Sequence, residues 1–145
     1  MNNYYEYVIP VTIGKTNATQ NVYFSEYFAL QGLVRELWMK DCVRNAMNFF
    51  SEGFLISTKS AHCDYKIPFF VFDTISCRMH IESLKRVSAK LVFEFINQKS
   101  KKVCATGWQI VVFKNFSRKT CRIPEDFLEA ASQILWESGL IYPES

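Results

Sequence analysis

Residues 25–39 read SEYFALQGLVRELWM, and this stretch decides how the rest of the sequence is interpreted. Its apolar residues recur every three or four positions, the spacing of one face of an α-helix, and further bulky residues widen that face. These residues are Tyr27, Phe28, Leu30, Val34, Leu37 and Trp38. Ser25 stands where a helix N-cap is expected. The pattern predicts a helix over 27–39 that the rest of the chain largely encloses.

Two-residue alternation replaces the helical spacing on both sides of this stretch. Residues 4–11 alternate as a short strand, and the polar residues 14–21 form a loop. Beyond the helix, four segments fit antiparallel strands: 54–65, 73–82, 88–97 and 103–114. Pro124 opens a last helix that extends to Leu135 and Trp136. This order predicts an α+β fold, a curved antiparallel β-sheet wrapped around a long central helix.

Length and composition bound the class of protein. The 145 residues suit one domain, 1–145. Lys and Arg number 17 against 14 Asp and Glu, an excess too mild and too evenly spread for a nucleic-acid partner. No leader peptide opens the sequence and no apolar run approaches the ~20 residues that span a bilayer, so we expect a cytoplasmic protein without a membrane partner. The five cysteines are odd in number and form no CxxC pair, which predicts reduced thiols and no metal site.

Aromatic residues are unusually frequent, at 13 Phe, 7 Tyr and 3 Trp. One core of this size does not need so much flat apolar surface. The excess therefore predicts an oligomer interface or a ligand channel.

Known nucleophile, phosphate-loop and zinc motifs are absent from the sequence. His62 and His80 fall on separate strands, where we expect each at the surface or rim. The basic turn 99–102 is expected to be solvated. A second basic group could be solvated as well, or could meet an acidic partner or a pyrophosphate; it comprises Lys114, Arg118, Lys119 and Arg122.

Polar residues on the predicted helix and in the loop before it stand out from their apolar surroundings. Asn17 and Asn21 lie in the loop, and Glu36 lies on the helix. Gln31 and Arg35, also on the helix, share a face at i, i+4. A guanidinium on an otherwise apolar helix is costly unless it is paired or faces a polar ligand. Both alternatives remain open from the residues alone.

Residues 16–38 resemble the hotdog-fold thioesterases of the 4-hydroxybenzoyl-CoA thioesterase type. The match is strongest to the branch associated with enediyne polyketide synthases, whose signature reads TNxxxNVYFxxYxxWQGxxRExF. The elements TN, NVYF, Tyr, QG and RE occur here in register. Weaker similarities are a YxxP…D step at 65–73 and an ATG triplet at 105–107. The chain departs from the family at Gln20, where Gly is frequent, and at Leu30, where Trp is frequent.

The resemblance implies an acyl thioesterase without a cofactor. Its substrate would be a polyketide, polyene or β-ketoacyl, on an acyl carrier protein, or a coenzyme A ester. In the wider family the position of Asn17 is often an Asp that acts as nucleophile or base, and an amide cannot take a proton at pH 7. The resemblance therefore implies that Asn17 and Arg35 orient water and stabilise charge at the thioester carbonyl. Helix amides near Ser25 would assist, as would Glu36, Tyr27, Asn21 and Gln31.

Hotdog proteins also pair their sheets across subunits and build the acyl channel at that seam. The resemblance thus implies a homo-oligomer, dimer or tetramer, with aromatic side chains at the interface or channel wall: Tyr23, Phe24, Trp38, Phe69, Phe70 and Phe72. Two alternatives remain, an acyl-CoA thioesterase of general metabolism and a non-catalytic acyl-binding hotdog subunit. A dehydratase is disfavoured because no His–Asp pair stands at the helix start. Chain length, β-keto status and decarboxylation after release stay open.

Overall fold

The computed structural model describes residues 3–136. In that range a long helix lies against an antiparallel sheet with strand order β1-β3-β4-β5-β2, and a short β6 pairs with β5. The strands are β1 Tyr5–Pro10, β2 Leu55–Tyr65, β3 Thr74–Leu84, β4 Ser88–Asn97, β5 Val103–Lys114 and β6 Thr120–Cys121. The helices are α1 Phe24–Cys42, α2 Ala46–Ser51 and α3 Glu125–Ser132, with a 3-10 turn at Ile13–Lys15.

The core forms where the inward face of the sheet meets α1. Every second residue of the central strands is buried there, so the alternation that predicts the strands also names the core. Trp38 of α1 packs edge-on against Phe127 of α3, with ring centroids 5.1 Å apart, and Phe127 also meets Phe113 of β5. The predicted architecture, an antiparallel sheet wrapped around a central helix, is confirmed.

Some element boundaries differ from the predictions. Helix α1 begins at Phe24 with Tyr23 at the N-cap position and no side-chain cap, so Ser25 lies inside the first turn. Helix α3 ends at Ser132, because Leu135 leaves it to form a β-bridge with β3. The short α2 and β6 were not predicted: neither is long enough to show a periodicity.

Two predictions about burial are corrected by the structure. Helix α1 is enclosed on one face only, because Phe24, Phe28 and Leu33 remain exposed. His80 is buried instead of lying at the rim, and its ring stacks on Trp136 at 3.4 Å. None of the helices in residues 3–136 is long and apolar enough to cross a membrane.

Candidate active site

Helix α1 runs antiparallel along strand β2, and polar contacts mark its path. Near the start of the helix, the Tyr65 hydroxyl donates to the carbonyl of Phe24 at 3.2 Å. One side-chain bond, from Gln31 Nε2 to the His62 carbonyl, spans 3.1 Å. Further on, Arg35 Nη1 donates to Thr58 Oγ1 at 2.8 Å. The helix therefore presents its polar residues to the strand that ends the sheet.

Arg35 belongs to a buried chain of amides. Its Nη1 also donates to Gln109 Oε1 at 2.7 Å, and Gln109 Nε2 donates to Gln31 Oε1 at 3.2 Å. The exposed fractions of Gln31 and Gln109 are 0% and 3%. Gly107 leaves room for this chain, since a Cβ there would lie 2.3 Å from Gln31 Nε2 and 2.8 Å from the His62 carbonyl oxygen. Gln31 and Gln109 thus hold Arg35 at a fixed place on the inner face of the sheet.

The positive charge of Arg35 has no anionic partner in the part of the chain that the structure describes. Both acceptors of its hydrogen bonds are neutral, and its Nε is buried without a partner among these residues. Burial lowers the pKa of Arg35, an effect that the charge of Glu36 opposes, and an arginine stays protonated at neutral pH nonetheless. A half-buried cation of this kind is stabilised by an anion or an oxyanion that enters from outside.

Asn17 lies in a loop that its own side chain organises. The carbonyl Oδ1 of Asn17 accepts from the backbone N–H of Thr19 at 3.0 Å and from the Thr19 hydroxyl at 2.8 Å. The Asn21 side chain also contacts this hydroxyl, at 2.6 Å. The Asn17 carbonyl is occupied by these two bonds, whereas its exposed NH₂ group has no hydrogen-bond partner within residues 3–136. Asn17 is therefore placed to donate a hydrogen bond and not to accept one.

Two loops bind each other beside the start of α1. The backbone N–H of Val22 donates to the Phe69 carbonyl, and that of Val71 donates to the Gln20 carbonyl. Gln20 and Phe72 both have left-handed backbones, with φ of 68° and 72°. These bonds fix the loop that carries Asn17 against the turn that precedes β3.

The aromatic residues implied as a channel wall divide into two groups. Four side chains surround the Asn17 loop and are exposed, at 48% for Tyr23, 55% for Phe24, 48% for Phe70 and 76% for Phe72. Phe69 and Trp38 are instead buried in the core, so in this protomer they line neither a channel nor a seam. We call these four exposed side chains the aromatic face, and a concentration of exposed aromatic residues is typical of a binding surface.

A separate apolar cavity of about 80 Å³ lies under the first half of α1, and none of the implied channel aromatics lines it. Val22, Tyr27 and Leu30 form part of its wall, and the ion pair of Lys15 with Glu26 at 3.3 Å stands at its edge. Burial raises the pKa of the Tyr27 hydroxyl to about 12. Tyr27 is therefore neither a base nor an acid at neutral pH.

No hydrogen bond joins Asn17 to Arg35 or to its partners within residues 3–136. Arg35 lies 11 residues beyond Phe24 in α1, which is about 16 Å along the helix axis, and Asn17 precedes the helix. Asn21 contacts the Asn17 loop, Gln31 contacts the Arg35 network, and Glu36 is exposed on the helix. Asn17 and Arg35 thus belong to two separate hydrogen-bonded groups, which we call the two half-sites.

Sequence reasoning missed Thr58 and Gln109, which hold Arg35. Gln109 follows Gly107 by two residues on β5, so the alternation places a glutamine at an inward position of an apolar strand. A polar residue at such a position could have indicated that Gln109 belongs to the site. A His–Asp pair was missed as well: His62 and Asp64 approach to 3.1 Å, on the outer face of the sheet, where His62 stacks on Trp108. No three His, Cys, Asp or Glu side chains among residues 3–136 are grouped to hold a metal ion.

Comparison with known proteins gives matches to a family and to solved structures. A family model described as the Thioesterase-like superfamily matches residues 11–131. No curated protein matches the sequence. The structure is similar to that of the dynemicin thioesterase, for which induced-fit and allosteric effects upon polyene binding are described, at 23% identity over 94% of this chain and 100% of that chain, with a TM-score of 0.87.

Two other similar structures are those of thioesterases named for coenzyme A esters. One is a 1,4-dihydroxy-2-naphthoyl-CoA thioesterase from Synechocystis, at 18% identity over 91% of this chain and 98% of that chain, with a TM-score of 0.83. The other is a gentisyl-coenzyme A thioesterase, at 24% identity over 85% of this chain and 98% of that chain, with a TM-score of 0.76. At these identities the likeness shows a shared fold.

Proposed function

Because the chain belongs to the Thioesterase-like superfamily, we propose that it hydrolyses a polyketide thioester, polyene or β-ketoacyl, held on an acyl carrier protein. The broader prediction, an acyl thioester hydrolase of hotdog fold, is confirmed by that membership. The carrier-bound polyketide is supported by the enediyne-type signature at residues 16–38 and by the exposed aromatic face beside Asn17. All five cysteines are free thiols, consistent with the cytoplasm as the compartment.

The observation that carries the proposal is the half-buried guanidinium of Arg35, whose hydrogen bonds all go to neutral acceptors. A thioester carbonyl is neutral, and its oxygen becomes anionic when water adds to the carbon. A cation held in place by Thr58 and Gln109 interacts more strongly with that oxyanion than with the ground state. The NH₂ of Asn17, which has no hydrogen-bond partner among the described residues, supplies a second donor. Arg35 and Asn17 therefore stabilise the developing charge and orient the attacking water.

The reaction consumes one water and requires no covalent bond between the substrate and the protein. Water adds to the carbonyl carbon, the oxyanion collapses and the C–S bond breaks. The departing thiolate takes up the proton that the water loses, and the acid is released. None of the residues hydrogen-bonded around Arg35 titrates near neutral pH, so general-base assistance is missing from this half-site and we expect a modest rate.

A second copy of the chain would unite the half-sites. Strand β2 ends the sheet and pairs only with β5 among the described strands, which leaves its other edge open. Two copies joined antiparallel along β2 place the Tyr65 end of one strand beside the Leu55 end of the other. We propose that Asn17 of one copy then faces Arg35 of the second, with the exposed aromatics covered as the channel wall. A homodimer is the smallest assembly with a complete site.

The neutral surroundings of Arg35 also favour a second candidate, an acyl-binding subunit without turnover. Such a subunit would retain an acyl chain through the same guanidinium and aromatic face. A ligand that co-purifies with the protein and is not hydrolysed would establish this alternative. An acyl-CoA thioesterase of general metabolism would be recognised by a preference for coenzyme A esters over carrier-bound ones.

Mixing two inactive variants tests the proposed site. Arg35→Ala and Asn17→Ala should each lower kcat by about 10²- to 10³-fold on a panel of acyl thioesters, as loss of an oxyanion donor does. Lys40→Ala, on an exposed part of the same helix, is the matched control and should keep full activity. Co-expression of both variants should restore about a quarter of wild-type activity, because half of the dimers then hold one intact site. If mixed dimers form and no activity is restored, the site would not be shared between the two copies.

A further inference from the structure

Six cationic side chains gather around β6, and we call this region the β6 surface: Lys59, Arg86, Lys114, Arg118, Lys119 and Arg122. Lys59 and Lys114 line a groove on one side of β6. Arg86 and Arg122 line a groove on its other side. Arg118 and Lys119 lie in the turn from β5 to β6. Chain segments distant in sequence thus converge on one basic surface.

The cations of the β6 surface have no anionic partners within residues 3–136. None of them forms an ion pair within 4 Å, whereas Lys15, Arg78 and Lys90 do so elsewhere in the chain. Glu125 lines the second groove without pairing. Removing these six from the 17 Lys and Arg leaves 11, against 14 Asp and Glu. These six side chains are thus about a third of the cations of the chain, gathered around a strand of two residues.

An exposed aromatic side chain accompanies the charge. Phe116, in the turn from β5 to β6, is 75% exposed. Its ring lies over Gly53, where φ is +88° and a Cβ would fall 2.2 Å from Phe116 Cε2. An aromatic anchor surrounded by charged residues is typical of a protein interface. The β6 surface thus combines the two features that a docking site for an acidic protein needs.

We propose that the β6 surface docks the acidic face of the carrier protein that delivers the thioester, an inference that rests on the proposed function. Charge complementarity speeds association and selects the partner. Thr58, which lines the first groove, is also the residue whose hydroxyl accepts from Arg35, so the docking surface adjoins the strand that positions the site. The cations line grooves on both sides of β6.

Charge reversal on the β6 surface tests the docking proposal, and the same reversal in the turn at the other end of β5 is its control. The test variant is Lys114→Glu, Lys119→Glu and Arg122→Glu together. The matched control reverses the three lysines of the turn that precedes β5: Lys99, Lys101 and Lys102. Each protein is assayed with one β-ketoacyl chain presented as three thioesters. The carriers are an acyl carrier protein, coenzyme A and the uncharged N-acetylcysteamine. The Kd for the unloaded holo carrier protein is measured by calorimetry, which does not depend on turnover.

We expect the test variant to raise KM and Kd for the carrier protein about tenfold or more, with a weaker salt dependence than wild type. Its kcat, and its activity on the N-acetylcysteamine thioester, should stay within about twofold of wild type. Equal losses in the control variant, equal losses on acyl-CoA, tighter binding of duplex DNA than of the carrier protein, or a wild type that binds no carrier protein would each overturn the proposal. Carrier binding without hydrolysis of any thioester would keep the docking surface and refute the proposed hydrolysis.

Discussion

Gln109 gives Arg35 its position without neutralising it. The amide oxygen accepts from the guanidinium at 2.7 Å, and the amide nitrogen is fixed by Gln31. A carboxylate at position 109 would hold the guanidinium equally well in geometric terms, but would compensate its charge. The neutral amide leaves that charge available to an incoming oxyanion. Gln109 is therefore a positioning residue whose neutrality is part of its role.

Two substitutions at Gln109 separate position from charge. Gln109→Leu should lower kcat about 10- to 100-fold at nearly unchanged KM, because Arg35 loses its anchor. It should also lower the free energy of unfolding by about 1–3 kcal/mol, since Gln31 loses a buried partner. Gln109→Glu should keep Arg35 in place and still lower kcat. Steady-state kinetics and urea denaturation measure both effects. Wild-type kcat in Gln109→Glu would show that the charge of Arg35 is not used.

His80 makes the stability of the fold dependent on pH. Burial lowers the pKa of His80 to about 4, from an ordinary value of 6.5. The folded state therefore keeps the ring neutral, while the unfolded state binds a proton once the pH falls below 6.5. The stability that the neutral His80 ring contributes to the fold is complete above pH 6.5, and it is lost as the pH falls toward 4. The free energy of unfolding of wild type should thus drop more steeply over this interval than that of His80→Phe. An identical drop in the two proteins, with His62→Phe as the exposed control, would contradict this.

At the residue scale, the sequence predicted the members of the site that lie near each other in the chain. Gln31 and Arg35 follow from helical spacing, and their placement on one face agrees with the shared network. Gln109 is 74 residues from Arg35, and only the sheet register brings them together. The sequence likewise did not indicate that Phe69 and Trp38 are buried within one protomer, because it does not tell an aromatic residue of the core from one of the surface.

At the element scale, the loop that carries Asn17 stores backbone strain at Gln20. Its φ of 68° is in the left-handed region that glycine adopts without cost. Gln20→Gly should therefore raise the free energy of unfolding by about 0.5–1 kcal/mol, the relieved strain less the added freedom of the unfolded chain. Gln98→Gly is the matched control, an exposed turn glutamine without a left-handed φ, and should be neutral or destabilising. Urea denaturation compares the two. Equal effects in both would show that the loop is unstrained.

The strands were the most predictable elements. The alternation in β3, β4 and β5 reflects burial of one face, and β4 and β5 have the predicted bounds. The end of α3 was wrong because Leu135 pairs with β3, a tertiary contact that overrides helical spacing. The start of α1 was wrong because Tyr23, an unusual cap residue, precedes it. Local patterns thus give the elements, and long-range pairing decides where they end.

At the scale of the whole molecule, the aromatic excess divides between core and surface. Rings such as Phe93, Phe95 and Phe113 fill the space between sheet and helix. Those around the Asn17 loop remain exposed, next to the open edge of β2. A monomer would leave both the aromatic face and the strand edge in water, which natural proteins avoid. The two surfaces are covered together if copies join along β2.

A charge in the middle of β2 tests this assembly. Ala61, exposed near the centre of β2, would lie close to the two-fold axis of an antiparallel pair. Ala61→Lys should place like charges beside each other and shift the protein toward monomer in sedimentation velocity. Activity should fall with the fraction of dimer, because each site takes residues from both copies. Ser132→Lys, exposed on α3, is the control and should change neither. A monomeric Ala61→Lys with full activity would show that one protomer holds a complete site. The proposed pairing of Asn17 from one copy with Arg35 from the other would then be wrong.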